Sequence, residues 1–221
     1  MRLSQKRLER QARFHATDLY VVTCAPLSNG RSNADVLDAV IAGGGRIIQL
    51  RDKDMAIRPF YDMAIRFRER TRAAGVLLVI NDHLNVALAV DADGVHLGQD
   101  DFPVKAARRI APDLLIGCST HSLAEALKAE QAGADYVNIG PIFPTGTKEH
   151  VQPLGPEAIK TIAPKLIVPF TVMGGINAAN IDAVLDAGAR KIAVVTAVTK
   201  ATDMAAAVHD LRARICGGAR V

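Results

Sequence analysis

The chemistry available to this chain sits in short polar clusters, each placed just after an apolar or β-branched run. They are Gln49-Leu50-Arg51-Asp52-Lys53, Asn81-Asp82, Gln99-Asp100-Asp101, Ser119-Thr120-His121, Pro144-Thr145-Gly146-Thr147-Lys148, Gly174-Gly175 and Thr196. Arg51, Lys53 and Lys148 are fixed cations, while Ser119, Thr145, Thr147 and the amides near Gly174-Gly175 are neutral donors. Such a set suits phosphate oxygens: arginine offers a planar fork, lysine a compact charge, and glycine lets backbone approach an anion. Gly174-Gly175 is expected to open a helix near Ala178, whose free amides would favour a phosphate, so two phosphate sites are expected in all. Asp82 and Asp101 are carboxylates held among these cations. One or two carboxylates plus substrate oxygens are what a hard divalent ion such as Mg²⁺ takes.

Each residue alone has a plainer reading. Asp82 and Asp101 precede helical patterns and could be N-caps. Arg51 and Lys53 could pair with Asp52 and Asp54 on a wet loop. Gly174-Gly175 could be a tight turn, and Thr196 a cap for the last helix. His83, His96 and His121 lack metal-ligand spacing and read as core or surface residues, and Cys118 reads as a buried thiol. The coincidence of all the clusters favours the functional reading.

The elements that must position these groups follow from periodicity. Strands are expected at Leu19–Thr23, Arg46–Arg51, Val76–Asn81, Gly94–His96, Leu114–Cys118, Tyr136–Gly140, Val168–Met173 and Lys191–Val195. Helical patterns follow each in turn: Ala34–Ala42, Arg58–Ala74, His83–Val90, Val104–Ala111, Leu123–Ala132, Glu157–Ile162, Ala178–Ala187 and Met204–Ile215. Ala-Gly steps at 42–44, 74–76, 132–134 and 187–189 mark helix stops before strands. This even strand-helix repeat predicts an α/β fold of the (β/α)8 TIM barrel type, in a single domain spanning 18–221, with an open doubly wound sheet as the alternative. In such a barrel the strands' carboxyl ends share one rim, which would gather every cluster on one face. The opposite pole is expected to carry only scattered charge. Residues 1–17, with Lys6, Arg7, Arg10 and Arg13, read as a solvated basic extension, a short helix or an arm.

Composition narrows the function classes. The 221 residues are 49% hydrophobic, with 27 Lys+Arg against 23 Asp+Glu and a net charge of +4. That balance does not call for nucleic acid, and 4% aromatics with no Trp supply few stacking platforms. No apolar run is long enough for a membrane span, and Met1-Arg-Leu-Ser-Gln-Lys lacks the hydrophobic centre of a secretion signal. A cytoplasmic protein with reduced thiols at Cys24, Cys118 and Cys216 is expected. Whether it forms a homo-oligomer is not fixed by the sequence. Gly146 and Gly155 bracket Thr147–Leu154, a lid or an ordinary rigid loop.

The longer runs carry a resemblance. Gln49-Leu50-Arg51-Asp52-Lys53, Asn81-Asp82, Gly94-Val95-His96-Leu97-Gly98-Gln99-Asp100-Asp101, Gly140-Pro141-Ile142-Phe143-Pro144-Thr145-Gly146-Thr147-Lys148 and Gly174-Gly175-Ile176 resemble the thiamine-phosphate synthase family. They occur in that family's order and approximate spacing, across about residues 18 to 215. The resemblance implies a (β/α)8 barrel and a Mg²⁺-assisted transferase. Such an enzyme joins a pyrimidine methyl diphosphate to a thiazole ethyl phosphate, yielding thiamine phosphate and pyrophosphate by a dissociative route.

Carried over by position, Gln49, Arg51 and Lys53 would hold the pyrimidine diphosphate, with Leu50 and Asp52 among the substrate-binding residues, and Asn81 would read its ring. Asp82 and Asp101 would ligate Mg²⁺. Ser119 and Lys148 would contact the pyrimidine substrate and its leaving group. Arg51, Lys53, Ser119 and Lys148 are the expected catalytic set. Thr145, Gly146, Thr147, Gly175, Val195 and Thr196 would bind the thiazole phosphate. Thr196 stands where the family commonly has serine, and Asn138 where it often has a smaller residue. The alternatives are a thiazole tautomerase-like isomerase, which tends to lack the strand-two cations and metal carboxylates, and a non-catalytic phosphate-ligand sensor.

Overall fold

The computed structural model describes residues 4–146 and 152–217. Eight parallel strands close on themselves in chain order: β1 (Leu19–Val22), β2 (Ile47–Leu50), β3 (Leu77–Asn81), β4 (Gly94–Leu97), β5 (Leu115–Thr120), β6 (Tyr136–Ile139), β7 (Phe170–Val172) and β8 (Ile192–Val194). Closure is made by Leu19–Val21 of β1 pairing with Ile192–Val194 of β8. The helices are α1 (Gln5–His15), α2 (Asn33–Ala42), α3 (Ile57–Ala73), α4 (Leu84–Ala89), α5 (Val104–Ile110), α6 (Leu123–Gln131), α7 (Glu157–Ile162), α8 (Ile181–Asp186), α9 (Thr196–Thr199) and α10 (Met204–Gly217). The open sheet is thereby excluded. Among the described residues no helix is long and apolar enough to cross a membrane.

The period-two geometry of strands sorts side chains into two cores. Outward residues such as Leu19, Val21, Ile48, Leu50, Leu78, Ile80, Val95, Ile116, Val137 and Ile139 pack against the helices. Inward residues Tyr20, Ile47, Leu77, Val79, Leu115, Tyr136 and Ala193 fill the barrel. Along the inner wall the chemistry changes with height. Ile47 is followed by Gln49, Val79 by Asn81, Leu115 by Gly117 and Ser119, and Tyr136 by Asn138. One end of the cylinder is thus greasy and the other polar, which follows from residue type at alternate positions.

Local signals fix the helix ends. Ser32 closes a capping box with Asp35 at the start of α2, and Ser122 accepts from Glu125 N at the start of α6. Gly133 and Gly188, from the Ala-Gly steps, take φ +99° just past α6 and α8, where a side chain would be strained.

Two expectations are corrected at the amino end of the barrel. The basic N-terminal segment forms the short helix but is not a free extension: α1 lies across this pole, with Phe14 1% exposed inside the inner core and Arg10 5% exposed, while its other face meets solvent. Lys6 pairs with Asp91 at 2.7 Å, Arg7 with Asp135 at 2.8 Å and Arg13 with Asp93 at 3.3 Å, while Arg10 donates to Ala92 O at 2.7 Å. Nor is the charge at this pole scattered. Asp18, Asp93 and Asp135 stand at strand entrances and accept from Leu19 N, Leu78 N and Ile116 N at 2.6, 2.9 and 2.7 Å. Each also takes an arginine from the helical layer: Arg212, Arg68 and Arg108.

A third correction lies at the other end. The helix after Gly174-Gly175 starts at Ile181, not near Ala178, because Asn177 and Asn180 close a turn first: Asn180 Oδ1 accepts from Asn177 N at 2.8 Å. The glycine pair therefore does not open the helix. The short α9 after β8 was not expected.

Candidate active site

At the polar end the strands surround a cavity of about 520 Å³, within the range of small-molecule sites. Gln49, Arg51 and Lys53 enter it from β2 and the loop beyond, at alternate positions as the pleat requires. Leu50 and Asp52, expected with them, are sent the other way. Leu50 is fully buried against the helices, and Asp52 Oδ2 accepts from Asn33 Nδ2 of α2 at 2.9 Å.

Alternation alone would also turn Asp82 away, since its neighbour Asn81 faces inward. Asp82 instead takes φ +59°, a left-handed conformation that aspartate tolerates better than most residues, and both side chains line the cavity. Its amide donates to His96 O at 2.9 Å, tying this turn to β4. The loop after β4 folds back so that Asp101 Oδ2 accepts from Gly98 N at 2.6 Å. Neither aspartate is a side-chain N-cap; His83 and Pro103 hold those positions of α4 and α5.

The two carboxyls are near enough to act on one another. Burial first, then the hydrogen bond and charge of Asp101, push the Asp82 carboxyl above its ordinary range, against the pull of Lys53 and Arg51. Lys53 Nζ stands 3.6 Å from Asp82 Oδ2. Arg51 is held by its backbone N–H donating to Thr23 Oγ1 at 2.8 Å, and its guanidinium reaches Cys24 Sγ at 3.4 Å. Asp52 takes its hydrogen bond from Asn33. No group of three or more His, Cys, Asp or Glu that could hold a metal ion occurs among the described residues.

The remaining wall comes from β5 to β8. Ser119 lines it, with its Oγ 2.9 Å from His96 Nε2. Thr145, Gly175, Val195 and Thr196 line it too, while Gly146 borders a smaller neighbouring cavity with Cys24, Arg51 and Lys53. Gly175 has φ +64°, and a Cβ there would sit 2.5 Å from Pro144 O, so the loops after β6 and β7 pack as closely as they do only over glycine. Thr196 opens the four-residue α9, not the last helix. Thr147 and Lys148, and most of the expected lid segment, lie outside the described residues. Asn138 lines the cavity and its Oδ1 accepts from Thr171 Oγ1 at 2.8 Å.

Sequence reasoning passed over several lining residues. His96, read as core or surface, is buried yet reaches the cavity with both ring nitrogens in hydrogen-bonding contact. Tyr20, Glu125 and Thr171 also line the wall. His96 and Thr171 fall at inward strand positions, a signal that alternation counted from Gln49 and Ser119 would have exposed. Cys118 is a buried thiol as expected, pushed up to about 11 chiefly by burial, then by Glu125 and Asp101.

A family model described as thiamine monophosphate synthase matches residues 19–198. The chain belongs to this family. Thiamine-phosphate synthase from Chloroflexus aurantiacus is 49% identical over 198 residues, covering 89% of this chain and 92% of that one. The enzyme of the same name from Pelotomaculum thermopropionicum is 45% identical, covering 90% and 92%. A solved thiamine phosphate pyrophosphorylase from Pyrococcus furiosus superposes with a TM-score of 0.87 at 37% identity, covering 96% of this chain and all of that one. Membership in the thiamine monophosphate synthase family makes the chain a transferase of thiamine biosynthesis. The family match begins with β1 and ends within α9, so it leaves out α1 and α10.

Proposed function

We propose that the chain condenses a pyrimidine methyl diphosphate with a thiazole ethyl phosphate, releasing pyrophosphate and forming thiamine phosphate. The observation that carries this reading is the division of the cavity wall. One arc, β2 to β5, contributes Gln49, Arg51, Lys53, Asn81, the Asp82–Asp101 pair and Ser119. The other, β6 to β8, contributes Thr145, Gly175, Val195 and Thr196, neutral donors around glycine. The charged arc suits a diphosphate that must depart, and the neutral arc suits a phosphate that only needs to be held.

The reaction then follows from the residues. The C–O bond to the diphosphate breaks, its electron pair leaves with pyrophosphate, and Arg51 and Lys53 meet the charge that develops. The thiazole nitrogen lone pair forms the new C–N bond to the pyrimidine methylene carbon. Neither step transfers a proton to a protein group, so no nucleophile or strong base is required of the chain. Asn81 and Gln49 orient the ring, and the neutral arc places the acceptor nitrogen. The donor set fits Mg²⁺: two neighbouring carboxyls lining a cavity with space for substrate oxygens. Asp82 and Asp101 would hold the ion, which when bound would add charge neutralisation on the diphosphate. Lys148 keeps the role its place in the resembling run implies.

The test is direct. Purified protein given both phosphorylated heterocycles and Mg²⁺ should release pyrophosphate and form thiamine phosphate, and should do neither with one heterocycle alone. Turnover of the thiazole phosphate by itself would replace this reading with an isomerase. Tight binding without product would replace it with a sensor.

A further inference from the structure

Along the cavity floor a file of side chains, all buried except the half-buried Ser119, crosses the barrel. Gln49 Nε2 donates to the Tyr20 hydroxyl at 2.8 Å, and the Tyr20 and Tyr136 hydroxyls meet at 3.1 Å. The Tyr136 hydroxyl meets His96 Nδ1 at 3.1 Å, and His96 Nε2 meets Ser119 Oγ at 2.9 Å. Gln49, Tyr20, His96 and Ser119 line the cavity, with Tyr136 fully buried beneath.

The sense of this file is set at its first bond, because an amide N–H can only donate. Tyr20 accepts it, and the Tyr20 proton then has the Tyr136 oxygen as its partner. The Tyr136 proton in turn has His96 Nδ1. Burial pushes both phenols above their ordinary range, so both keep their protons. The opposite sense would leave the Tyr20 proton without an acceptor among the described residues, which buried donors avoid. A neutral imidazole accepting at Nδ1 carries its proton on Nε2, so His96 donates to Ser119 Oγ. Ser119 then has its own proton to offer to the cavity.

The surroundings are shaped for this contact. A Cβ on Gly117 would sit 2.1 Å from Tyr136 Cζ and 2.6 Å from His96 Nδ1, so only glycine leaves the two room to meet. On the other side Phe14 of α1 stacks on the Tyr136 ring, centroids 4.4 Å apart and planes 27° apart.

We propose that Tyr136 is a positioning residue: by donating to His96 Nδ1 it fixes the Nε2–H tautomer and makes Ser119 a hydrogen-bond donor to the bound pyrimidine substrate. Phe14 is the backstop that holds the Tyr136 ring. The substrate's identity rests on the proposed condensation, whereas the tautomer does not.

Protein labelled with nitrogen-15 histidine separates the two. Long-range proton–nitrogen correlation, with His96 assigned by its absence in His96→Gln, should show a protonated Nε2 and a bare Nδ1 in the wild type. In Tyr136→Phe, which keeps the stacked ring, it should show both tautomers. In the condensation assay Tyr136→Phe should lose about tenfold in kcat/KM, the scale of one directed hydrogen bond. In a Ser119→Ala background the same change should cost nothing further. A wild-type His96 protonated at Nδ1 would overturn the proposal, as would a Tyr136→Phe loss undiminished by Ser119→Ala. If the wild type fails to turn over the two heterocycles, the substrate reading falls, and the nitrogen spectrum still decides the tautomer.

Discussion

Asp82 and Asp101 are uneasy neighbours, and that unease separates a functional role from a structural one. A carboxyl placed for stability is met by donors, as Asp18 is by Arg212 and Leu19 N; Asp82 is raised by burial first and then by the neighbouring acid Asp101, and Lys53 at 3.6 Å only partly offsets them. Replacing Asp101 by asparagine keeps an oxygen for Gly98 N while removing a charge. Asp101→Asn should therefore fold with an unchanged or higher thermal midpoint, yet release pyrophosphate slower by about two orders of magnitude, as should Lys53→Ala. Either variant turning over at the wild-type rate would detach that residue from the departing anion. At this scale the sequence was legible wherever residue type and strand phase agreed: Gln49, Arg51, Lys53, Asn81 and Ser119 all reach the cavity. At Leu50 and Asp52 the pleat sends the side chains away from the main cavity, because alternate members of the run point outward. Asp82 shows the converse, reaching the wall only through a left-handed backbone that no pattern announces.

Among the elements, α1 was the least legible. Its sequence is dominated by charge, and the aspartates that receive its arginines lie about 80 to 130 positions away. What sequence did offer was the spacing of Arg7, Arg10 and Arg13, which shares one helical face with Phe14. Phe14 supplies most of the apolar burial on that face, and truncating a fully buried phenylalanine costs about 3–5 kcal/mol. Phe14→Ala should lower unfolding free energy by that order in urea titrations monitored by circular dichroism. A loss under about 1 kcal/mol would mean that α1 is held instead by its ion pairs, of which Arg7–Asp135 and Arg10–Asp93 are largely buried. The strands and the middle helices were legible because period two and period 3.6 differ so plainly. The start of α8 and the existence of α9 were not, because Asn177 and Asn180 and a four-residue turn leave no periodic trace.

At the level of the whole molecule, the barrel separates its charges into a pole where acids are matched and a pole where they face a cavity. Closure between β1 and β8 was implied by eight even repeats, but the matched pole was not, since its aspartates look like ordinary loop residues until Arg212, Arg68 and Arg108 arrive beside them. That pole should set the acid limit of the fold. For Asp18, burial taken alone would raise the carboxyl, but the Arg212 hydrogen bonds, the Leu19 amide and the charges of Arg212 and Arg46 outweigh it and hold it below the ordinary aspartate range. A group lowered on folding contributes its stability above the unfolded value, and loses it as pH falls through the folded one. Wild type should thus exceed Asp18→Asn in urea midpoint by a constant margin from pH 7 to about 5, and the margin should shrink steadily below about pH 4 as wild-type Asp18 takes up its proton. A margin that persisted undiminished at pH 2 would show that the ion pair with Arg212 is not what Asp18 contributes, and that its backbone bond to Leu19 carries the effect.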